Sequence, residues 1–316
     1  MAPFELELID YLRSRSPIAR WPEFLALGIG DDMAALCLAG MGGAGRTISE
    51  KDLLLVSSDM LLDGVHFDAQ THSPETIGRK AIACSLSDCA AMAVQPLAAT
   101  VSLALPVHLS PEAVRELMQG MWRIASEYDL AIVGGDTNRW PQGLAIDVTV
   151  LAVPFPGVDP IARRGARLGD VLAVTGKLGG SLLGHHLSFT PRVREAHALA
   201  QALGPRLHAM LDISDGLSLD LWRLCEASAV GAELDDAALE TVVSDDARRA
   251  ASIDGRPAME HALSDGEDFE LLVALEPPAG AMPDDLLPIG RVIAQRLWLR
   301  RRDGGVEALE PRGYVH

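Results

Sequence analysis

Five short segments of the sequence combine acidic side chains with small, turn-forming neighbours. They are GIGDDMAAL (28–36), SSDMLLDGVHF (57–67), LSDCAAM (86–92), GGDTNR (134–139) and DISDGL (212–217). Most of them come where an apolar run ends or where a helix is predicted to begin. Core packing explains carboxylates at such places poorly. Hard metal ions and phosphate groups, which favour oxygen ligands and glycine-rich backbone, explain them well.

Electrostatic repulsion limits how such segments can be arranged. Two carboxylates about 4 Å apart repel each other by roughly 4 kcal/mol at an effective dielectric constant of about 20. The acidic segments therefore either lie far apart or share several divalent cations. A ligand set made of oxygen atoms favours Mg²⁺, which in proteins commonly bridges substrate phosphates.

Two of the segments have local surroundings that suit a cation. Asp59 follows the hydroxyls of Ser57 and Ser58 at the end of a predicted strand, an arrangement suitable for a hard cation. Asp88 shares one stripe of a predicted helix with Lys80, and the neighbouring residues are apolar. A buried carboxylate there needs a partner, and that partner is either Lys80 or a metal ion.

The remaining candidates have ordinary explanations as well as functional ones. Two glycines precede Asp136, and glycine lets a backbone approach a phosphate closely. Asp212, Ser214 and Asp215 come at a predicted helix start, where one of them is expected to cap the helix. Three polar groups in four residues are more than capping needs. His66 by itself is better explained as a core histidine.

Composition excludes several classes of function. Lys and Arg total 27 against 44 for Asp and Glu, a net charge of -17, which argues against binding to nucleic acid or to an anionic membrane surface. No apolar run approaches the roughly 20 residues of a membrane span. The N-terminus lacks signal-peptide features and the four cysteines form no C-x-x-C pair, so we expect a cytoplasmic protein with reduced thiols. TGKLGGS (175–181) departs from the P-loop pattern and predicts a strand-to-helix turn.

The elements that would position these residues alternate between strands and helices. The predicted strands are 25–29, 53–57, 97–105, 131–133, 144–153, 170–175, 269–275 and 286–292. The predicted helices are an N-terminal one, 73–94, 110–128, 179–189, 192–203 and one from DISDGL to about residue 229. Both halves are mixed α and β without strict βαβ alternation. The Pro/Gly stretch PFPGVDP (154–160) predicts a domain boundary, giving domains 1–153 and 154–316.

In this order, the segments resemble the thiamine-monophosphate kinase family, which belongs to the superfamily of aminoimidazole ribonucleotide synthetase and selenophosphate synthetase. The resemblance runs nearly end to end, and its motifs are FELELI, GIGDD, SSDMLLDGVHF, KAIACSLSDCAAM, GGDTNR, GDVLAVTGKLGGS, DISDGLSLDL, SDGEDFELL and RGYVH. It implies a two-domain aminoimidazole-ribonucleotide-synthetase-like α/β fold. The N-terminal domain would bind ATP and Mg²⁺ and pair its sheets in a homodimer, and the C-terminal domain would complete the nucleotide and substrate sites.

The resemblance also implies roles for individual residues. The expected Mg²⁺ ligands are Asp32, Ser57, Ser58, Asp59, Asp88, Asp136, Asp212 and Asp215. The expected ATP contacts are Gly135, Asp136, Arg163 and Ser214, and the expected contacts to thiamine monophosphate are His66, Glu267 and Tyr314. The implied reaction is direct in-line transfer of the ATP γ-phosphoryl group, helped by several Mg²⁺ ions and Arg163, without a side chain acting as acid or base.

Two positions depart from the family pattern. Asp265 stands where the family usually has glycine, beside the expected substrate contact Glu267, so it either points away or alters what binds. Cys84-Ser85 replaces a usual Val-Asn pair. Two alternatives therefore stay open: a related ATP-dependent enzyme acting on another small phosphorylated substrate, and a catalytically silent paralogue that binds nucleotide or metal.

Overall fold

The computed structural model describes residues 25–27, 30–38, 52–278, 280 and 282–314. The predicted N-terminal helix and the predicted loop at 39–45 lie outside these residues. The chain divides into two compact units. The first runs to Cys89 and continues from Val94 to Gly157, and the second takes Ala90–Ala93 and the chain from Val158 onward.

The first unit is built on a six-stranded mixed sheet. Its strands are β1 (Leu25–Leu27), β2 (Ala34–Cys37), β3 (Leu53–Leu62), β4 (Val94–Pro106), β5 (Ala131–Trp140) and β6 (Ala145–Pro154), in the order β1-β2-β3-β6-β4-β5. Strands β4 and β5 pair in parallel, and the other neighbours pair antiparallel. Along β4, buried Val101 and Leu103 alternate with exposed Thr100 and Ser102, so one face of the sheet is covered and the other is open.

Among the described residues, two helices begin in this unit, α1 (Pro74–Ala91) and α2 (Pro111–Glu127). Both begin as the Ser-Pro-Glu pattern predicts. The hydroxyl of Ser73 accepts the amide of Thr76 at 3.2 Å, and the hydroxyl of Ser110 accepts the amide of Ala113 at 3.1 Å. These bonds satisfy amides that a helix start leaves without intrahelical acceptors, and proline at the next position needs no acceptor at all.

The second unit is built on a seven-stranded mixed sheet. Its strands are β7 (Val171–Val174), β8 (Leu207–Asp212), β9 (Gly231–Asp235), β10 (Leu271–Leu275), β11 (Leu287–Ile293), β12 (Leu297–Arg300) and β13 (Val306–Ala308), in the order β13-β12-β9-β11-β7-β10-β8. Strand β10 is apolar and buried at every residue, as expected for a strand lying between β7 and β8 with both of its faces covered.

Six helices of the described chain accompany this sheet. They are α3 (His185–Ser188), α4 (Val193–Leu203), α5 (Leu217–Ser228), α6 (Asp236–Val242), α7 (Asp245–Asp254) and α8 (Ala258–Ser264). The apolar residues of α5, including Leu217, Leu221 and Leu224, join those of β7 and β8 in one buried core. This core holds the end of β8 and the start of α5, which carry the DISDGL segment.

The predicted mixed α/β class is confirmed, but three local predictions are wrong. SSDM does not follow a strand, because β3 continues through it to Leu62. The strand predicted over 131–133 does not end before GGDTNR, because β5 continues through this segment to Trp140 and pairs with β4. The helix predicted over 179–189 is a 3-10 turn, Ser181–Leu183, followed by the four-residue α3, because the left-handed Gly180 and Gly184 interrupt it.

Candidate active site

The two serines that precede Asp59 in β3 lie on opposite faces of the first sheet. Successive side chains of a strand point to opposite faces, so Ser57 and Asp59 share one face and Ser58 lies on the other. The hydroxyl of Ser58 donates to Asp147 Oδ2 at 2.9 Å and lies 3.1 Å from Thr149 Oγ1, both on β6. The hydroxyl of Ser57 is buried and has no hydrogen-bond partner among the described residues.

The Asp59 carboxylate lies among other acids. Burial raises the pKa of Asp59 to about 6, the hydrogen bond from Ser85 opposes this rise, and the charges of Asp147 and Asp32 add to it. The Ser85 hydroxyl donates to Asp59 Oδ2 at 3.0 Å, so the serine of the unusual Cys84-Ser85 pair contacts an expected metal ligand. The charge of Asp32 thus acts on the Asp59 carboxylate, and a shared cation at these two residues stays a prediction.

Helix α1 carries Asp88 within a buried stretch and Lys80, whose side chain contacts His66. From Lys80 to Val94 the residues are buried except Asp88, which is half-buried. The Lys80 ammonium donates to the His66 carbonyl oxygen at 2.5 Å. The backbone N–H of Leu62 donates to His66 Nδ1 at 3.0 Å, which leaves the ring proton on Nε2. The His66 ring therefore helps to fix the turn after β3.

Gly135 and Asp136 lie on β5, at the edge of the sheet. A Cβ atom on Gly135 would lie 1.7 Å from the carbonyl oxygen of Val101, so the close approach that requires glycine there is to β4. The Asp136 carboxylate accepts Thr137 N at 2.8 Å and Asn138 Nδ2 at 2.8 Å. Strand register places Asp136 in one row with Ser102 and Asp147. Asp136 thus lies on the face of Ser58, opposite to Asp59.

In the second unit, DISDGL leads from β8 into α5. Asp212 ends β8, and Asp215 pairs with Arg223 at 2.5 Å. The expectation that Asp212, Ser214 or Asp215 caps the helix is wrong, because α5 begins after Gly216 with no side-chain cap. Instead Asp220, from the first turn of α5, accepts the amides of Asp215 and Gly216 at 3.0 Å each.

Asp220 and Arg223 were missed by the sequence reasoning. Arg223 also donates to Asp220 Oδ1 at 2.9 Å. Burial raises the pKa of Asp220 to about 7, the Asp215 charge adds to this rise, and Arg223 and Arg163 oppose it. Arg163 therefore lies near this acidic cluster. The sequence DGLSLDL could have indicated the role of Asp220, because an acid four residues after Gly216 falls in the first turn of the helix, where acids are favoured.

Glu267 and Tyr314 converge on the same loop. The amide of Glu267 donates to the Ser214 carbonyl oxygen at 2.6 Å, and the amide of Tyr314 donates to the Asp215 carbonyl oxygen at 2.8 Å. Burial and the nearby Glu267 charge raise the pKa of Tyr314. A Cβ atom on Gly313 would lie 2.4 Å from the Asp215 carbonyl oxygen. The two expected substrate contacts thus adjoin the DISDGL loop.

The backbone around Arg163 is anchored from two sides. Amides of Gly165 and Ala166 donate to the Ser228 hydroxyl at 3.1 and 3.2 Å. The carbonyl oxygen of Ala162 accepts the amide of Met210 on β8 at 3.2 Å. These bonds fix the segment that carries Arg163 beside α5. The sequence around Arg163 does not predict its contact with Ser228.

The donor chemistry of the first unit suits a cation shared with a ligand. Among the described residues, no three His, Cys, Asp or Glu side chains lie close enough together to enclose a metal ion. The Ser57 hydroxyl is nevertheless a buried oxygen without a hydrogen-bond partner in the described chain, and Asp59 lies near the charges of Asp32 and Asp147. Mg²⁺ completed by phosphate oxygens and water fits these donors.

The fold and the acidic segments define a protein of the AIR synthase related class. The family model described as AIR synthase related protein, N-terminal domain, matches residues 30–153. Within that class the chain belongs to the thiamine-monophosphate kinase family, a family of kinases. It is 39% identical to the thiamine-monophosphate kinase of Rhodopirellula baltica, over 99% of this chain and 97% of that protein.

Further comparisons agree with this family. The thiamine-monophosphate kinase of Mycobacterium tuberculosis is 36% identical, over 92% of this chain and 85% of that protein. The solved structure of AaThiL complexed with AMPPCP and TMP matches with a TM-score of 0.79 and 28% identity, over 99% of this chain and 96% of that one. Within the part of the chain that the structure describes, no helix is long and apolar enough to cross a membrane.

Proposed function

We propose that this protein is a thiamine-phosphate kinase that converts thiamine monophosphate to thiamine diphosphate at the expense of ATP. The observation that carries the proposal is the 39% identity to a thiamine-monophosphate kinase across nearly all of both chains. The AaThiL structure, which holds AMPPCP and TMP together, supports the same pair of substrates.

The proposed reaction is a direct in-line transfer. An oxygen of thiamine monophosphate bonds to the γ-phosphorus of ATP while the bond from that phosphorus to the β–γ bridging oxygen breaks, and ADP leaves. The attacking phosphate oxygen is already anionic near neutral pH, so no side chain has to remove a proton. The barrier comes from bringing two anions together, and positioning with charge neutralisation lowers it.

Several Mg²⁺ ions, when bound, would neutralise phosphate charge and align the reacting groups. The residues proposed to hold them are Asp32, Ser57, Ser58, Asp59, Asp88, Asp136, Asp212 and Asp215. The buried Ser57 hydroxyl and the charge of Asp32 on Asp59 support this assignment for Asp32, Ser57 and Asp59. Ser58 and Asp136 lie on the opposite face of the sheet. In the second unit, Arg223 pairs with Asp215 and so limits the repulsion between that carboxylate and Asp220.

We propose the remaining ligand contacts residue by residue. Gly135, Asp136, Arg163 and Ser214 would contact ATP, and His66, Glu267 and Tyr314 would contact thiamine monophosphate. The bond from Glu267 N to the Ser214 carbonyl oxygen supports placing a substrate contact beside an ATP contact. Arg163 would provide a fixed positive charge for the transferred phosphoryl group.

The decisive experiment incubates the purified protein with Mg-ATP and thiamine monophosphate and separates the thiamine phosphates by chromatography. We expect thiamine diphosphate to form, and Asp59→Asn to lower the rate on the order of 100-fold because a carboxylate next to the reacting phosphates is lost. Asp129→Asn, at an exposed site of the same unit, is the matched control and should leave the rate unchanged.

The other outcomes separate the alternatives. ATP binding without turnover would indicate a silent paralogue, and ATP consumption only with another phosphorylated acceptor would indicate a related enzyme. A phosphorylated form of the protein that passes its phosphate to thiamine monophosphate would contradict direct transfer. Asp265 no longer favours the silent paralogue, because its carboxylate is bonded to Gly180, Arg256 and His261.

The proposal includes a homodimer formed through the sheet of the first unit. Edge strand β5 is exposed along almost its whole length, and Met60, Leu97 and Val133 are apolar and exposed. A second copy of the chain would cover these residues and the unpaired edge. A cytoplasmic location also belongs to the proposal, and four cysteines without disulfide bonds support it.

A further inference from the structure

Two carboxylates on either side of Glu267 hold the same turn. Asp265 Oδ2 accepts the amide of Gly180 at 3.0 Å. Asp268 Oδ1 accepts the amide of Gly179 at 2.8 Å and the hydroxyl of Ser181. The amides of the two adjacent glycines in TGKLGGS thus bind the side chains at both ends of residues 265–268.

The opposite side of residues 265–268 rests on the DISDGL loop. The amide of Glu267 donates to the Ser214 carbonyl oxygen at 2.6 Å, and that of Phe269 donates to the Ile213 carbonyl oxygen at 2.8 Å. A Cβ atom on Gly266 would lie 2.9 Å from the same Ser214 oxygen. Residues 265–268 are therefore held between two loops, with Glu267 in the middle.

Glu267 needs such support because of its backbone. Its φ is 55°, in the left-handed region, which costs a residue with a Cβ atom roughly 1 kcal/mol. Such a conformation persists when the surroundings fix it. The bonds of Asp265 and Asp268 to the 179–181 turn are the fixed points immediately before and after Gly266-Glu267.

Both oxygens of the Asp265 carboxylate have hydrogen-bond partners within the second unit. Its Oδ1 accepts Arg256 Nη2 at 3.0 Å, and its Oδ2 lies 2.7 Å from Nδ1 of His261 in addition to the Gly180 amide. The His261 side chain is 2% exposed and that of Asp265 is 10% exposed. A carboxylate with both oxygens bonded in this way is directed at its own scaffold and not at a ligand.

We propose that Asp265 is a positioning residue that sets the backbone of Glu267 for binding of thiamine monophosphate. It acts through the Gly180 amide, and Arg256 and His261 hold its two oxygens in place. The substitution of the family's usual glycine therefore stabilises the substrate-binding segment and leaves the substrate class unchanged. The assignment of a substrate to Glu267 rests on the proposed function.

The first test compares Asp265→Ala, Asp265→Asn and Asp254→Asn in steady-state kinetics. Asp254 contacts the same Arg256 and His261 but not the turn, so it is the matched control. We expect Asp265→Ala to raise KM for thiamine monophosphate about fivefold, the effect of losing a hydrogen bond, with kcat and KM for ATP unchanged. Asp265→Asn, which keeps an oxygen for Gly180, should restore most of the lost affinity. Equal KM values in Asp265→Ala and Asp254→Asn would overturn the proposal.

A double-mutant cycle tests whether Asp265 acts through Glu267. In a Glu267→Gln background, Asp265→Ala should have little further effect on KM for thiamine monophosphate, because the contact that it positions is already impaired. Fully independent effects of the two changes would contradict a positioning role.

Hydrogen exchange separates this inference from the proposed function. The amides of Glu267 and Phe269 should exchange faster in Asp265→Ala than in Asp254→Asn, whether or not the protein uses thiamine monophosphate. If the wild type makes no thiamine diphosphate and the exchange still differs, the proposed function fails and the positioning of the Glu267 backbone stands. Identical exchange in the two variants would refute the positioning role itself.

Discussion

At the scale of single residues, the buried acids of the second unit are stabilised in two different ways. Asp215 and Asp220 share the guanidinium of Arg223. Asp268 is 2% exposed and accepts hydrogen bonds from uncharged donors, the Gly179 amide and the Ser181 hydroxyl. Burial raises the pKa of Asp268 to about 8, against the effect of these two hydrogen bonds and with a contribution from Glu270 and Asp265. We therefore expect Asp268 to be protonated, and so uncharged, at neutral pH.

This difference gives a pH-dependent prediction for stability. A carboxyl whose pKa is higher in the folded protein than the ordinary 3.8 binds its proton more tightly in the folded state, so its contribution to stability falls as pH rises from about 4 to about 8. Asp268→Asn cannot ionise. Its Tm relative to wild type should therefore rise, by on the order of 10 °C, between about pH 5 and about pH 8.5.

Differential scanning calorimetry at the two pH values measures this change. Asp303→Asn, an exposed acid in the β12–β13 turn, is the control and should show the same difference from wild type at both values. A Tm difference for Asp268→Asn that stays constant or falls with pH would show that Asp268 is ionised in the folded protein.

At the scale of elements, the sequence predicted the helices with capping signals and the strands with apolar runs. Ser-Pro-Glu patterns located α1 and α2, and the predicted strand at 97–105 is confirmed within β4 (Val94–Pro106). For β5 the sequence predicted the first three residues, 131–133, and missed the rest of the strand. Glycine, aspartate and asparagine have low strand propensity, and this part of the strand exists through its pairing with β4.

The candidate site was predictable from sequence to a similar extent. Asp212, Ser214 and Asp215 are neighbours in sequence, so their clustering was predictable. The bond between Asp265 and Gly180 joins residues 85 positions apart, and no local pattern announces it. The pairing of Arg223 with Asp220, one helical turn away, is predictable from helix geometry. Its second ion pair, with Asp215, depends on the conformation of the loop before α5 and is not.

The packing of α1 against α2 depends on two glycines. A Cβ atom on Gly120 would lie 1.9 Å from the Glu75 carbonyl oxygen, and one on Gly78 would lie 2.0 Å from the Leu117 carbonyl oxygen. These neighbours are backbone atoms and cannot rotate away. The helices thus approach each other as closely as their backbones allow, which fixes α1, the helix that carries Lys80, Ser85 and Asp88.

Gly120→Ala is therefore predicted to lower the free energy of unfolding by about 2–3 kcal/mol, because separating the helices costs more than the roughly 1 kcal/mol that alanine gains in helix propensity. Urea unfolding followed by circular dichroism measures this loss. Gln119→Ala, at the exposed neighbouring position, should change the free energy of unfolding by less than about 0.5 kcal/mol. Equal stabilities of the two variants would mean that the helices can separate at little cost.

At the scale of the whole molecule, charge and exposed apolar surface are distributed differently. The net charge of -17 opposes non-specific association between copies. The open face of the first sheet nevertheless carries exposed Met60, Leu97 and Val133 beside the unpaired β5 edge. Exposed apolar side chains close together on a strongly charged protein are typical of a specific interface, which supports the proposed homodimer.

Val133→Glu is predicted to dissociate this dimer. Val133 is 63% exposed, and a glutamate there would be buried against a second copy with the same negative charge, so the dissociation constant should rise by about 100-fold or more. Sedimentation velocity should show wild type at about twice the chain mass of 33.7 kDa and the variant near 33.7 kDa. Ile253→Glu, at a 73% exposed position of the second unit, is the matched control and should remain dimeric. A wild type that sediments as a monomer, or a dimer that both variants leave intact, would exclude the first sheet as the interface.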